Sequence, residues 1–160
     1  MSIGKAKSDN QKDAVKIFIN ERDLIEIVKD VELPFAMGEG HPSNAGDYEG
    51  LLPEYVFLPS RHFLDSPNPS LQSVTGKLDL FEHSGCGVNG CWPLVATIQL
   101  MADTVTRKDF EQPHRRKAYP KQPSWNYDRL GPFIFKRSKY EEELQPGERK
   151  FKRVFDMSTY

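Results

Sequence analysis

Lys77-Leu78-Asp79-Leu80-Phe81-Glu82-His83, then Trp92-Pro93-Leu94-Val95-Ala96-Thr97-Ile98-Gln99-Leu100-Met101, then Thr104-Val105-Thr106-Arg107-Lys108-Asp109-Phe110 decide the fold. Leu78 and Leu80 fall two apart, on one face. Trp92, Leu94, Ala96, Ile98 and Leu100 recur at every second residue. A period of two is the signature of a strand with one buried face. Ala102-Asp103 leaves room only for a tight turn. Three antiparallel strands in a meander follow, at 77–83, 92–101 and 104–110. Pro93 falls at the start of the middle strand, where a missing amide is tolerated.

Towards the N-terminus, Val15-Lys16-Ile17-Phe18-Ile19 alternates and is β-branched, which predicts a further strand. Asn20 then offers a helix N-cap, with Glu21 and Asp23 in the first turn. Leu24, Ile25, Ile27, Val28 and Val31 form an apolar stripe at helical spacing, so a helix is expected near 21–32, ended by Pro34. The competing reading is a hairpin turning at Asn20-Glu21-Arg22. Residues 36–54, rich in glycine and proline, read as loop with at most one short turn of structure. Tyr55-Val56-Phe57-Leu58 reads as a short strand, and Phe133-Ile134-Phe135 as another. Ser138-Lys139-Tyr140-Glu141 fits a capping box opening a second helix near 139–145, closed by Pro146-Gly147. The fold class is therefore α+β: a mainly antiparallel sheet with a three-strand meander and two helices.

The chain has 160 residues, enough for one domain with its own core. Residues 1–12 read as a disordered tail, 13–147 as a single domain, and 148–160 as a C-terminal tail or edge strand. The net charge is -1 and mean hydropathy is -0.63. Nucleic-acid and membrane partners are not expected: the chain is no polycation, and no apolar run reaches the roughly 18 residues of a membrane span. Residues 21–54 carry nine acids against two bases, a net of -7, and residues 107–121 six bases against two acids, a net of +4. Both read as solvated faces that partly neutralise each other. The acidic stretch is also the candidate contact for a basic protein partner.

Gly85-Cys86-Gly87-Val88-Asn89-Gly90 spells G-x-G-x-x-G after a strand. A dinucleotide site needs a helix to open there, and a strand follows instead. The stretch is a glycine-rich hairpin loop. It carries the chain's two cysteines, Cys86 and Cys91, too few for a disulfide framework. With no export signal, the expected compartment is the cytoplasm and the thiols are reduced. Three roles stay open for them: free thiols, a local disulfide, or zinc ligands. Zinc prefers four thiolate or imidazole donors, so His83, His114 or a carboxylate would complete the set with Cys86 and Cys91. No catalytic motif occurs, and no catalytic residue is assigned.

Strand direction places the candidate site. The 77–83 strand runs up into the glycine-cysteine loop, the 92–101 strand runs down, and the 104–110 strand runs up again. His83, Cys86, Cys91 and Trp92 should therefore lie beside Gln112, His114 and Arg115. These seven are the candidate binding residues.

Three segments carry a resemblance: Gly90-Cys91-Trp92-Pro93-Leu94, Gln112-Pro113-His114-Arg115, and Trp125-Asn126-Tyr127 followed by Gly131-Pro132-Phe133-Ile134-Phe135. Over about residues 15–145 the chain resembles a family of small uncharacterised bacterial proteins with a GCWPL strand, a QPHR segment and a GPFxF ending. The resemblance implies a bacterial, cytoplasmic, single-domain protein and transfers no catalytic residue. Arg107 stands where that family is expected to carry a tryptophan. The functional expectation is a non-enzymatic binding or protein-interaction module with no cofactor. The alternative is a small metal-dependent or cysteine-dependent hydrolase using Cys86, Cys91 and His114, with zinc as the metal.

Overall fold

The computed structural model describes residues 14–86, 90–116, 124–146 and 153–160. The expected N-terminal tail, 1–12, lies outside them. The architecture is α+β and mainly sheet. Strands β1 (Lys16–Ile19) and β2 (Arg22–Asp23) precede helix α1 (Leu24–Gly38). Strand β3 (Tyr48–Gly50) and the short helix α2 (Pro53–Val56) follow. The meander is β4 (Leu78–His83), β5 (Leu94–Leu100) and β6 (Thr104–Glu111). Strand β7 (Phe133–Lys136), helix α3 (Arg137–Glu143) and strand β8 (Val154–Met157) end the described chain.

The meander forms where the alternation places it, and β3 and β7 widen it to five antiparallel strands in the order β3-β4-β5-β6-β7. A second sheet has the order β2-β1-β8, with β1 and β8 parallel. The expected edge strand in 148–160 is β8. One continuous core joins the two sheets and the helices. No helix among the described residues is long and apolar enough to cross a membrane.

Several local expectations give way to tertiary contacts. The hairpin at Asn20-Glu21 is what forms: φ is 50° and 68° at these two residues, and β1 pairs antiparallel with β2 across them. Asp23 is therefore the N-cap of α1, accepting a hydrogen bond from the Ile25 amide at 2.9 Å. Pro34 does not end that helix. It removes one backbone hydrogen bond, yet Leu24, Val28, Glu32 and Ala36 keep one buried stripe running through it to Gly38. Residues 55–58 are not a strand. Pro53 opens a helical turn there, and Val56 on that turn enters the core. The expected loop at 36–54 holds the end of α1, a 3-10 turn at Pro42–Asn44 and β3. Ser138 is no cap: α3 begins one residue earlier, with Lys136 at the N-cap and no side-chain cap bond. Strand β5 starts at Leu94 rather than Trp92. Ile98 is half-buried against the core rather than enclosed by it.

Arg107 departs furthest from its expected solvated face. It is fully buried. Its guanidinium lies 4.6 Å from the Phe63 ring centre, 5.0 Å from Phe155 and 5.2 Å from Tyr140. Nε and Nη2 both donate to the Tyr140 hydroxyl, at 3.2 and 2.9 Å, and that hydroxyl donates to the Phe63 carbonyl at 2.8 Å. Among the described residues no carboxylate pairs with it, and three aromatic faces surround the charge instead.

Candidate functional site

Register brings the site together. Tyr48 of β3 lies opposite His83 of β4, so Asp47 arrives beside the imidazole. The Asp47 carboxylate lies 2.8 Å from His83 Nε2. On the other side of the ring, His83 Nδ1 lies 3.5 Å from Cys91 Sγ. Cys86 enters through the turn that follows β4, where its amide donates to the His83 carbonyl at 3.3 Å. One donor atom each from His83, Cys86 and Cys91 lies within 4.8 Å of the other two. Cys91 is exposed and Cys86 half-buried.

Electrostatics follows from these neighbours. Partial burial works against a charge on His83, but the hydrogen bond to Asp47 and the Cys86 sulfur outweigh it and raise the imidazole pKa above its ordinary value. Contact with the Cys86 sulfur holds the Cys91 thiol above its ordinary value, with desolvation adding to it. The tautomer with hydrogen on Nε2 donates to Asp47 and turns the Nδ1 lone pair toward the sulfurs.

The other four predicted residues converge on the same end of the sheet in a different role. Gln112 Nε2 donates to the Pro93 carbonyl at 3.1 Å, and its Oε1 caps the His114 amide at 3.0 Å. His114 Nε2 donates to the Gly90 carbonyl at 3.2 Å. The His114 ring stacks on Trp92 at 5.8 Å between centres and 5° between planes. The Arg115 guanidinium lies 5.0 Å from the Trp92 ring and 5.6 Å from Trp125. Glu39, at the end of α1, receives both Arg115 Nε at 3.1 Å and Trp125 Nε1 at 2.8 Å. Together these contacts brace the exit of the cysteine loop. His114 therefore does not join the thiols: among the described residues the metal-compatible group is His83, Cys86 and Cys91, and the expected fourth ligand is committed to Gly90 and Trp92.

Two carboxylates behind the site carried no expectation. Asp47 sits in a stretch read as loop. Glu32 is fully buried and accepts from Tyr48 Oη, from Tyr127 Oη at 2.6 Å and from the Gly46 amide at 2.8 Å. Burial raises its pKa, against the opposing pull of those hydrogen bonds. Gln112 Nε2 also approaches Tyr48 Oη at 3.4 Å, which links this node to the loop brace. Much of the acid-rich stretch is thus engaged by partners within the molecule. Asp23 caps α1, Asp30 pairs with Arg22, Glu32 is buried, Glu39 holds Arg115 and Asp47 holds His83. Glu21, Glu26, Asp30 and Glu54 are its exposed acids.

No protein-family model, curated protein or solved structure matches this chain. A tetrahedral zinc ion with Zn–S of about 2.3 Å and Zn–N of about 2.0 Å sets its sulfur and nitrogen ligands about 3.5 Å apart. The His83–Cys91 separation of 3.5 Å already meets that spacing. The carboxylate on the far nitrogen is the arrangement that orients a ligating histidine and fixes its tautomer.

Proposed function

We propose that the protein is a small non-enzymatic binding module that takes up a divalent transition-metal ion, zinc by its ligand preference, through Cys86, Cys91 and His83. The observation that carries this reading is the three-donor cluster within 4.8 Å, with Asp47 behind the imidazole. Two sulfurs and one imidazole favour zinc over the hard oxygen-seeking cations. Three protein ligands leave one coordination position for a water or an added ligand. Gln112, His114, Arg115 and Trp92 serve this module by fixing the loop that carries Cys91.

The test is metal uptake by the reduced full chain. One zinc per chain is expected by elemental analysis. Cobalt substitution should give the intense near-ultraviolet band of thiolate ligation, lost in Cys91→Ser and His83→Ala. Reduced protein that binds neither metal overturns the reading.

A second reading has one specific observation in its favour. Asp47, His83 and Cys91 stand in line, as an orienting acid, a base and a nucleophile do in cysteine-dependent hydrolysis. Metal-free protein in which an alkylating reagent modifies Cys91 far faster than Cys86, and only while His83 is present, would favour that reading instead.

A further inference from the structure

We propose that Cys86 and Cys91 are a redox switch on this centre, closed to a disulfide by a peroxide and thereby releasing the metal. The release rests on the metal-binding reading; the disulfide step rests on the thiol pair alone.

The sulfurs of Cys86 and Cys91 belong to the same cluster, within 4.8 Å, and the chain has no other cysteine to compete for either of them. A disulfide needs them about 2 Å apart, so one or both must move by no more than about 3 Å. The surroundings allow this. A Cβ placed on Gly85 would meet nothing within 4 Å, and one on Gly90 only the Ser73 hydroxyl at 3.3 Å. The turn leading to Cys86 is open, while the far side of the loop is anchored through Gly90 to His114 and through Pro93 to Gln112. Movement of the Cys86 side therefore leaves the sheet intact.

Exposure sets the order of events. Cys91 is exposed and meets a small oxidant first; Cys86 is half-buried beside it. The Cys91 sulfur attacks one peroxide oxygen. The S–O bond forms as the O–O bond breaks, and the leaving oxygen takes a proton as water or an alcohol. The Cys86 sulfur then attacks the Cys91 sulfur. The S–S bond forms, the S–O bond breaks, and hydroxide leaves with a proton as water. The two thiols lose two electrons to one peroxide, and the zinc ion stays divalent throughout. Disulfide sulfurs are no longer thiolate ligands, so the donor set falls from three to His83 alone. Reduction restores all three.

The experiment uses the full chain, zinc-loaded and metal-free, treated with hydrogen peroxide at a few equivalents. Intact mass reads the disulfide as a loss of about 2 Da and an oxygen added to sulfur as a gain of about 16 Da. A chromogenic chelator reads released zinc. The expected result is a loss of about 2 Da together with one zinc per chain, both reversed by dithiothreitol and added zinc. Cys86→Ser should stop at the gain of about 16 Da. Accumulation of Cys91 over-oxidised by two or three oxygens, or disulfide formation with zinc retained, overturns the proposal. Reduced protein that takes up no zinc yet closes the disulfide overturns the metal-binding reading and the release, while supporting the thiol-pair step.

Discussion

Replacing Glu32 tests the frame behind the site. In Glu32→Leu the Gly46 amide and the Tyr48 hydroxyl lose their acceptor inside the protein, while the Tyr127 hydroxyl keeps Tyr48 Oη. Each buried donor left unsatisfied costs about 1–3 kcal/mol. Relief from desolvating the carboxylate returns part of the gross cost of about 2–6 kcal/mol, for a net loss of about 1–4 kcal/mol. Glu32→Gln keeps one carbonyl acceptor and sets an amide donor against the Gly46 amide or a hydroxyl, for a loss of about 1–2 kcal/mol. Urea unfolding of the two variants and the parent, followed by tryptophan fluorescence, measures both. A second readout comes from pH. Burial raises the folded-state pKa of Glu32 above its unfolded value of about 4.3. The folded state therefore binds the proton more tightly. The stability this confers is complete below the unfolded value and is lost as pH rises through the folded pKa. The parent's advantage over Glu32→Gln should accordingly grow as pH falls from 7 toward 4. Leucine within about 0.5 kcal/mol of the parent, or an advantage that shrinks on acidification, would refute this account of the node.

Other substitutions probe single contacts. Asp47→Asn should weaken zinc or cobalt binding about 10–100-fold in a competition titration while leaving the unfolding midpoint near that of the parent, because it loosens only the far side of His83. His114→Ala should retain one metal per chain and lose about 1 kcal/mol in the same urea assay, since its ring holds Gly90 and Trp92 rather than the ion. Glu21→Gly should gain about 0.5–1 kcal/mol, because Glu21 sits at φ 68°, where glycine is at ease. Gly50→Ala should cost about 3 kcal/mol or more and lower Tm by about 6–12 °C, because its Cβ would lie 1.9 Å from the Val15 carbonyl oxygen on a neighbouring backbone.

The meander was legible because a period of two over residues 78–111 has few competing explanations, and turn chemistry separates its strands. The convergence of seven candidate residues at one sheet end followed from strand direction alone. Their division into a donor set and a bracing set did not, because it depends on which way each ring turns. Asp47 was hidden by β3, three residues too short to show a pattern. Glu32 left a trace in the sequence. It falls four residues after Val28 on the apolar stripe of α1, where a lone acid signals a buried partner. Arg107 left a similar trace: it follows Val105 at the strand period, on the core face of β6. Pro34 and Ser138 misled for one reason. Local rules for helix ends were outweighed by which side chains the core could bury.

The parallel seam between β1 and β8 joins Lys16 to Val154 and Ile19 to Met157, nearly the full described length apart. Phe155 from β8 covers the rings of Phe63 and Tyr140. Synthesis on the ribosome delivers β1 well before β8. Until residue 157 is free, β1 has only its short hairpin partner, and the aromatic box around Arg107 lacks one wall. The five-stranded sheet, made of near neighbours in sequence, can close earlier. The nascent chain thus carries an open strand edge and exposed rings until β8 has emerged, the kind of surface that chaperones shield. A frameshift or stop codon just before residue 154 would leave that surface open for good.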